Sequence, residues 1–197
     1  MNRTVSGVLW LGLYLFVVLA PIALMLVPPV PSGRSFWVEL SVALGFVGLT
    51  QIGIQFVLIA RFKPLTYPYG IDVVLKYHRE IAVVAMAFVL VHPVLILIEH
   101  PARVALLNPF GGTYASKLGL ASVAVLAALA VTSIWRERLG IRYEVWRGLH
   151  TALGVLALVS AQAHVSLAGL YINTAWKQAL WVGRACCWWG WWPTCGW

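Results

Sequence analysis

Four histidines form two pairs of equal spacing, inside segments otherwise apolar enough to cross a membrane. His78 and His92 are fourteen residues apart, and so are His150 and His164. Fourteen helical residues make almost four full turns, so each pair lies on one helix face, about 21 Å apart along the axis. Ionisable side chains at membrane depth are costly and are usually functional. The spacing therefore predicts two sites at two depths.

Two opposed imidazoles at one depth are the axial ligand set of a six-coordinate b-type haem, whose porphyrin supplies four equatorial nitrogens. Parallel helices lying side by side would bring His78 level with His150 and His92 level with His164. We therefore expect two haem b groups, with the four histidines as the ligands of their iron atoms.

Two arginines lie next to the pair formed by His78 and His150. Arg79 follows His78 directly, and Arg147 comes three residues before His150. Guanidinium groups pair well with carboxylates, including haem propionates. Arg79 and Arg147 are therefore cofactor-binding candidates, although anchoring at the membrane surface explains them slightly better.

The composition indicates the elements that must position these side chains. The chain of 197 residues is 61% hydrophobic and only 10% charged, against about 25% charged in a typical soluble domain. Each long apolar run is close to the ~20 residues that a transmembrane helix needs. The runs cover residues 8–27, 38–60, 81–98, 118–135 and 149–171. We predict an all-α integral membrane helical bundle with five clear transmembrane helices, the first retained, and an atypical or degraded sixth.

The basic residues predict the orientation. Nine lie in connections on the side of the N-terminus and four on the opposite side, so the positive-inside rule places the N-terminus in the cytoplasm. The third and fifth spans then run in the same direction, as opposed histidines require. The net charge of +8 is explained by these anchors, so we expect a lipid bilayer, and no nucleic acid, as partner. A bacterial inner membrane is the expected location.

The last part of the chain differs in composition. Residues 184–197 contain five Trp and three Cys but no Leu, Val or Ile, and the cysteines match no metal-site or haem-attachment spacing. We expect a haem-binding transmembrane domain at residues 1–172 and a Trp- and Cys-rich tail at 173–197, a possible remnant of a sixth helix altered by a frameshift. The alternative is a genuine Trp-rich end at the membrane interface.

The histidine segments resemble a known family. "HREIAVVAMAFVLVH" and "HTALGVLALVSAQAH", together with "WRGLH", are similar to the ferric reductase-like transmembrane domain of ferric reductases, NADPH oxidases and bacterial relatives fused to a ferredoxin-reductase module. The resemblance covers residues 5–172. It implies six helices and two stacked haems, with His78 and His150 holding the inner haem and His92 and His164 the outer one.

The resemblance also implies a function. Single electrons would cross the bilayer through the two haems to an outer acceptor such as ferric iron or oxygen. In the family, a cytosolic FAD and NAD(P)H module follows the last helix. This sequence contains no dinucleotide-binding loop, so we expect FAD and NAD(P)H only through a separate or missing module.

The electron donor would then be a flavoprotein or a quinol, and the chain would be the electron-transfer component of an oxidoreductase. One alternative is a quinol-linked haem subunit feeding a periplasmic reductase. Another is a transporter or channel whose histidines carry protons or bind a metal such as zinc. The third is a purely structural membrane subunit.

Overall fold

All regular structure among the described residues is helical. The computed structural model describes residues 3–60 and 63–190, with side chains except at 3, 63–65, 185 and 187–190. Its elements are α1 (Arg3–Leu26), α2 (Phe36–Ile59), α3 (Lys63–Tyr69), α4 (Ile71–Glu99), the 3₁₀ helix η1 (Pro101–Leu107), α5 (Tyr114–Ile134), α6 (Tyr143–Ala168) and α7 (Ala175–Gly190).

Five of these helices, α1, α2, α4, α5 and α6, are long and apolar enough to cross a membrane. They correspond to the five predicted apolar runs. The prediction of an all-α membrane fold with five clear spans is therefore confirmed.

The helices that carry the histidine pairs begin earlier than the apolar runs do. Helix α4 begins at Ile71, ten residues before the predicted start, and α6 begins at Tyr143, six residues before it. Hydropathy finds only the part of a helix that matches the hydrocarbon, whereas the polar first turns stay helical. Acidic residues there, Asp72 and Glu144, favour a helix N-terminus by interacting with its dipole. Each histidine pair therefore lies within one continuous helix.

The connection at residues 63–70 contains two prolines and is largely the short helix α3. Gly70 follows this helix with φ +84°, a left-handed conformation that glycine adopts without strain. The chain thus turns at Gly70 directly into α4.

Among the described residues, those up to Glu99 and those from Leu170 to Gly190 form one compact unit, in which α2 is the most buried of the membrane-length helices. An apolar cluster forms around α2. Its members are Val18, Val47, Ile54, Leu58 and Val74, with Trp10, Tyr14, Val17, Ile22 and Phe88 packed against them. Within this unit, α2 therefore lies between α1 and α4.

Helix α7 packs on α2 through one face. Trp181 is buried and meets the Phe46 ring edge-on at 4.9 Å. One turn on, the Arg184 guanidinium stacks 3.8 Å from the Trp181 ring centroid and donates to Thr50 Oγ1 at 2.5 Å. As far as the structure describes the chain, α7 has 16 residues, fewer than the ~20 residues that a span needs. The predicted frameshift falls partly on residues 191–197, which lie outside the described residues, and stays a prediction.

Residues His100–Gly169 form the second unit, with η1, α5 and α6. Thr113 caps α5 by accepting a hydrogen bond from the Ser116 backbone N–H at 3.2 Å, and α6 ends at Gly169 with φ +62°. Ser122 of α5 donates to the Ala157 carbonyl of α6 at 3.0 Å. The two helices of this unit therefore pack closely at the middle of α6.

Candidate functional site

The four predicted ligands lie on two helices, one in each unit. His78 and His92 are on α4, and His150 and His164 are on α6. All four are half-buried, which leaves part of each side chain accessible. The helical rise separates the two members of each pair by about 21 Å.

His92 is held by a residue of α2. Its Nδ1 lies 2.8 Å from the Ser41 carbonyl oxygen and 3.0 Å from Ser41 Oγ, while that hydroxyl donates to the His92 carbonyl at 2.7 Å. Because a carbonyl oxygen only accepts, the neutral His92 ring carries its proton on Nδ1. The lone pair therefore lies on Nε2, on the far side of the ring from Ser41, where it can bind a metal.

His164 is held in the same way within the other unit. Its Nδ1 lies 2.7 Å from the Ala115 carbonyl oxygen of α5. The same reasoning places the proton on Nδ1 and leaves Nε2 with a lone pair. The two histidines that we expect at the outer level thus share one tautomer and one kind of anchor.

The His150 ring also carries its proton on Nδ1, and its hydrogen-bond partner is a serine hydroxyl. Ser133 Oγ of α5 donates its single proton to the Leu129 carbonyl at 2.7 Å. Its lone pairs must then accept from His150 Nδ1, which lies 3.0 Å away. A hydrogen bond from the second ring nitrogen to a carbonyl or similar acceptor is the usual companion of metal ligation by histidine. His92, His150 and His164 all have this companion bond.

Glycines make room for the rings of His92 and His164. A Cβ on Gly45 would lie 3.2 Å from His92 Nδ1, and one on Gly119 would lie 2.9 Å from His164 Nδ1. Each glycine comes one turn after the residue whose carbonyl accepts the histidine proton, Ser41 or Ala115. Neither glycine was predicted from the sequence, although two small residues spaced four apart are typical of close helix contacts in membranes.

The middle of each histidine pair is buried against the neighbouring helix. Ala85, midway between His78 and His92, is fully buried, and a Cβ on Gly48 of α2 would lie 3.2 Å from its carbonyl oxygen. Ala157, midway between His150 and His164, is 1% exposed and accepts the bond from Ser122. These close approaches fix the register of α2 on α4 and of α5 on α6.

The two arginines lie near the N-terminal ends of α4 and α6 and are exposed. Arg79 forms an ion pair with Glu80 at 3.5 Å, with 76% of its side chain exposed. Such surface pairs contribute little, so Arg79 could exchange this partner for another anion. The predicted binding role of Arg79 and Arg147 stays a prediction.

No three His, Cys, Asp or Glu side chains gather around a common point in the described part of the chain. A haem iron does not require such a cluster, because it takes four nitrogens from the porphyrin and needs only two from protein. The three imidazoles whose Nδ1 atoms are anchored, those of His92, His150 and His164, fit haem iron, which histidine binds through a neutral nitrogen.

Comparisons with known proteins assign the family. An uncharacterized protein of Archaeoglobus fulgidus is 30% identical over 131 residues, covering 62% of this chain and 71% of that protein. No solved structure matches the chain. The family model described as "Ferric reductase like transmembrane component" matches residues 44–161, more than half of the chain, a range that includes His78, His92 and His150. The protein therefore belongs to the ferric reductase-like transmembrane family.

Proposed function

We propose that the protein is a membrane b-type cytochrome that passes single electrons through two bis-histidine haems to an acceptor at the outer face. The observation that carries the proposal is the shared state of His92, His150 and His164. Each ring has Nδ1 bound to the neighbouring helix of its own unit, so Nε2 is the nitrogen that can bind iron. Family membership supports the same conclusion.

In this proposal the ligands pair by depth. His78 and His150 hold the inner haem, and His92 and His164 hold the outer haem. The helix rise places the two levels about 21 Å apart, most of the ~30 Å hydrocarbon thickness. Arg79 and Arg147 lie next to the inner pair and bind haem propionates there.

A haem bound by two histidines supplies one-electron chemistry. The four histidines would hold the two haem irons through their imidazole nitrogens, and the chain's own hydrogen bonds fix the ring tautomers of His92, His150 and His164. Ser41, Ala115 and Ser133 act through the imidazoles, because a hydrogen bond from Nδ1–H increases the basicity of the ligating nitrogen.

The direction of transfer follows from the expected topology. The nine basic residues on the side of the N-terminus support a cytoplasmic N-terminus in a cytoplasmic membrane. A flavoprotein or quinol donates electrons at the inner level. The acceptor, ferric iron, oxygen or a similar oxidant, is reduced near residues 107–114, where Phe110 is 93% exposed.

The test is haem content measured on the purified protein and on histidine variants. Spectra of the oxidised and dithionite-reduced wild type should show a b-type cytochrome with two haems per chain. His92→Ala and His164→Ala should each lose the outer haem and retain the inner one. The matched control is His100→Ala, because the exposed His100 makes no side-chain capping bond and its loss should leave two haems.

Two results would overturn the proposal. A transporter or a structural subunit would show no Soret band in the wild type. Two haems retained in both His92→Ala and His164→Ala would show that the ligand assignment is wrong. Reduction of the loaded protein by a quinol but not by a flavoprotein would identify the class of donor.

A further inference from the structure

We propose that Gln55 of α2 positions His78, by accepting a hydrogen bond from its Nδ1–H through the side-chain amide oxygen. The inference rests on the proposed haem ligation and adds a residue that the sequence motif does not contain. Its basis is the register of α2 on α4, together with the burial of the Gln55 amide.

The register of the antiparallel helices brings Gln55 to the level of His78. Ser41 contacts His92, and seven residues further along α2, Gly48 packs against Ala85, which lies seven residues before His92. A third step of seven residues leads to Gln55 on α2 and to His78 on α4. Fourteen residues make almost four turns, so Gln55 and Ser41 lie on nearly the same face of α2.

The second unit repeats this register. Ala115 contacts His164, and seven residues further along α5, Ser122 contacts Ala157, which lies seven residues before His164. The third step pairs Leu129 with His150. A leucine side chain cannot accept a hydrogen bond. The acceptor for His150 in this unit is Ser133, one turn beyond Leu129.

The corresponding two positions in the first unit are Gln55 and Ile59. Of the two positions compared in each unit, one carries a polar side chain. In α5 this is Ser133, one turn beyond Leu129, and in α2 it is Gln55, one turn before Ile59. Isoleucine cannot accept a hydrogen bond, so Gln55 is the side chain of this pair that can take the role of Ser133.

The Gln55 amide is suited to such a role. Gln55 is 7% exposed, and neither of its amide atoms has a hydrogen-bond partner among the described residues. A buried amide without a hydrogen-bond partner is unfavourable because it has lost its bonds to water, so a partner is expected in the functional protein. One turn earlier, Gln51 is turned to α1 instead and donates to the Tyr14 hydroxyl at 3.5 Å.

The test compares Gln55→Leu and Gln55→Glu with the wild type, and uses Gln51→Leu as a matched control on the same helix. The readouts are the midpoint potentials of the two haems and the electron paramagnetic resonance signals of their ferric forms. Loss of the acceptor makes His78 less basic and so favours ferrous iron. Gln55→Leu should therefore raise the potential of the inner haem, by about 59 mV for a tenfold change in relative affinity for the two oxidation states.

Gln55→Glu, with a stronger acceptor of the same length, should shift the inner haem in the opposite direction. The outer haem should not change in either variant, and Gln51→Leu should match the wild type. If Gln55→Leu loads poorly, the shift in Gln55→Glu decides. If both Gln55 variants bind two haems and show an unchanged potential and an unchanged signal for the inner haem, the role of Gln55 is overturned and the proposed function is not. A wild type without haem would overturn both.

Discussion

Gly119→Ala should weaken binding of the outer haem by displacing the His164 ring. The added Cβ would lie 2.9 Å from His164 Nδ1 and 3.1 Å from Cε1, whereas ordinary contacts begin near ~3.5 Å. The ring must therefore move by about 0.6 Å, which stretches its 2.7 Å bond to the Ala115 carbonyl to roughly 3.3 Å, outside the normal hydrogen-bond range. Loss of such a bond behind a metal ligand costs about 10–100-fold in affinity, or roughly 1.4–2.8 kcal/mol.

Gly45→Ala should have a smaller effect of the same kind. Its Cβ would lie 3.2 Å from His92 Nδ1, so a movement of about 0.3 Å relieves the contact. The 2.8 Å bond to Ser41 then stays near ~3.1 Å, within range. We expect a loss of less than about tenfold in the affinity for the outer haem, below the range for a lost bond behind a metal ligand.

The assay is titration of haem into haem-depleted protein in detergent, followed by the reduced-minus-oxidised spectrum. Gly12→Ala is the control, because nothing lies within 4 Å of its added Cβ. Gly119→Ala, Gly45→Ala and Gly12→Ala each replace glycine by a better helix former, which stabilises the helix by about 1 kcal/mol or less. This stabilisation is similar in the three variants and cancels in the comparison. Equal haem affinity in Gly119→Ala and Gly12→Ala would refute the reasoning, because it would show that contact with His164 does not matter for the outer haem.

Three further changes test other parts of the structure. Ser133→Ala removes the acceptor of His150 Nδ1 and should raise the potential of the inner haem only, as redox titration would show; a shift of the outer haem instead would contradict the depth assignment. Trp181→Ala empties a buried site beside Phe46 and should cost about 3–5 kcal/mol, measured by thermal unfolding in detergent; an unchanged unfolding temperature would show that α7 does not stabilise this unit. Burial, followed by the hydrogen bond to Glu39, raises the pKa of Tyr171 above the usual 10.0, so its contribution to stability is present below pH 10 and is lost as the pH rises through the raised pKa. Wild type should therefore destabilise more steeply than Tyr171→Phe above pH 10, and identical unfolding curves would contradict this.

The sequence predicted the five spans and the histidine pairs because both depend on composition and helical period. Apolar runs of span length stand out in a chain with few charges, and a repeat of fourteen residues is easily recognised as one helix face. The helix starts at Ile71 and Tyr143 were missed, because polar first turns outside the hydrocarbon carry no hydropathy signal.

The anchors of the histidine rings could not be predicted from the sequence. For His92 and His164 the acceptors include the backbone carbonyls of Ser41 and Ala115, and every residue has a carbonyl. Which one is reached depends on the register and separation of two helices, and these are set by contacts between residues distant in sequence, such as Gly48 with Ala85.

The two units anchor their histidines in the same helix register, but the two levels differ in the kind of acceptor. The carbonyl anchors of His92 and His164 persist whatever side chains stand at Ser41 and Ala115. At the inner level, His150 depends on the Ser133 hydroxyl, and in our proposal His78 depends on Gln55. In our proposal, a single substitution at Gln55 or Ser133 should therefore change the potential of the inner haem, while the carbonyl bonds of His92 and His164 persist. If the protein holds two haems as we propose, the difference between their potentials sets the driving force for electron transfer, and the side chains at positions 55 and 133 are where substitution should change it.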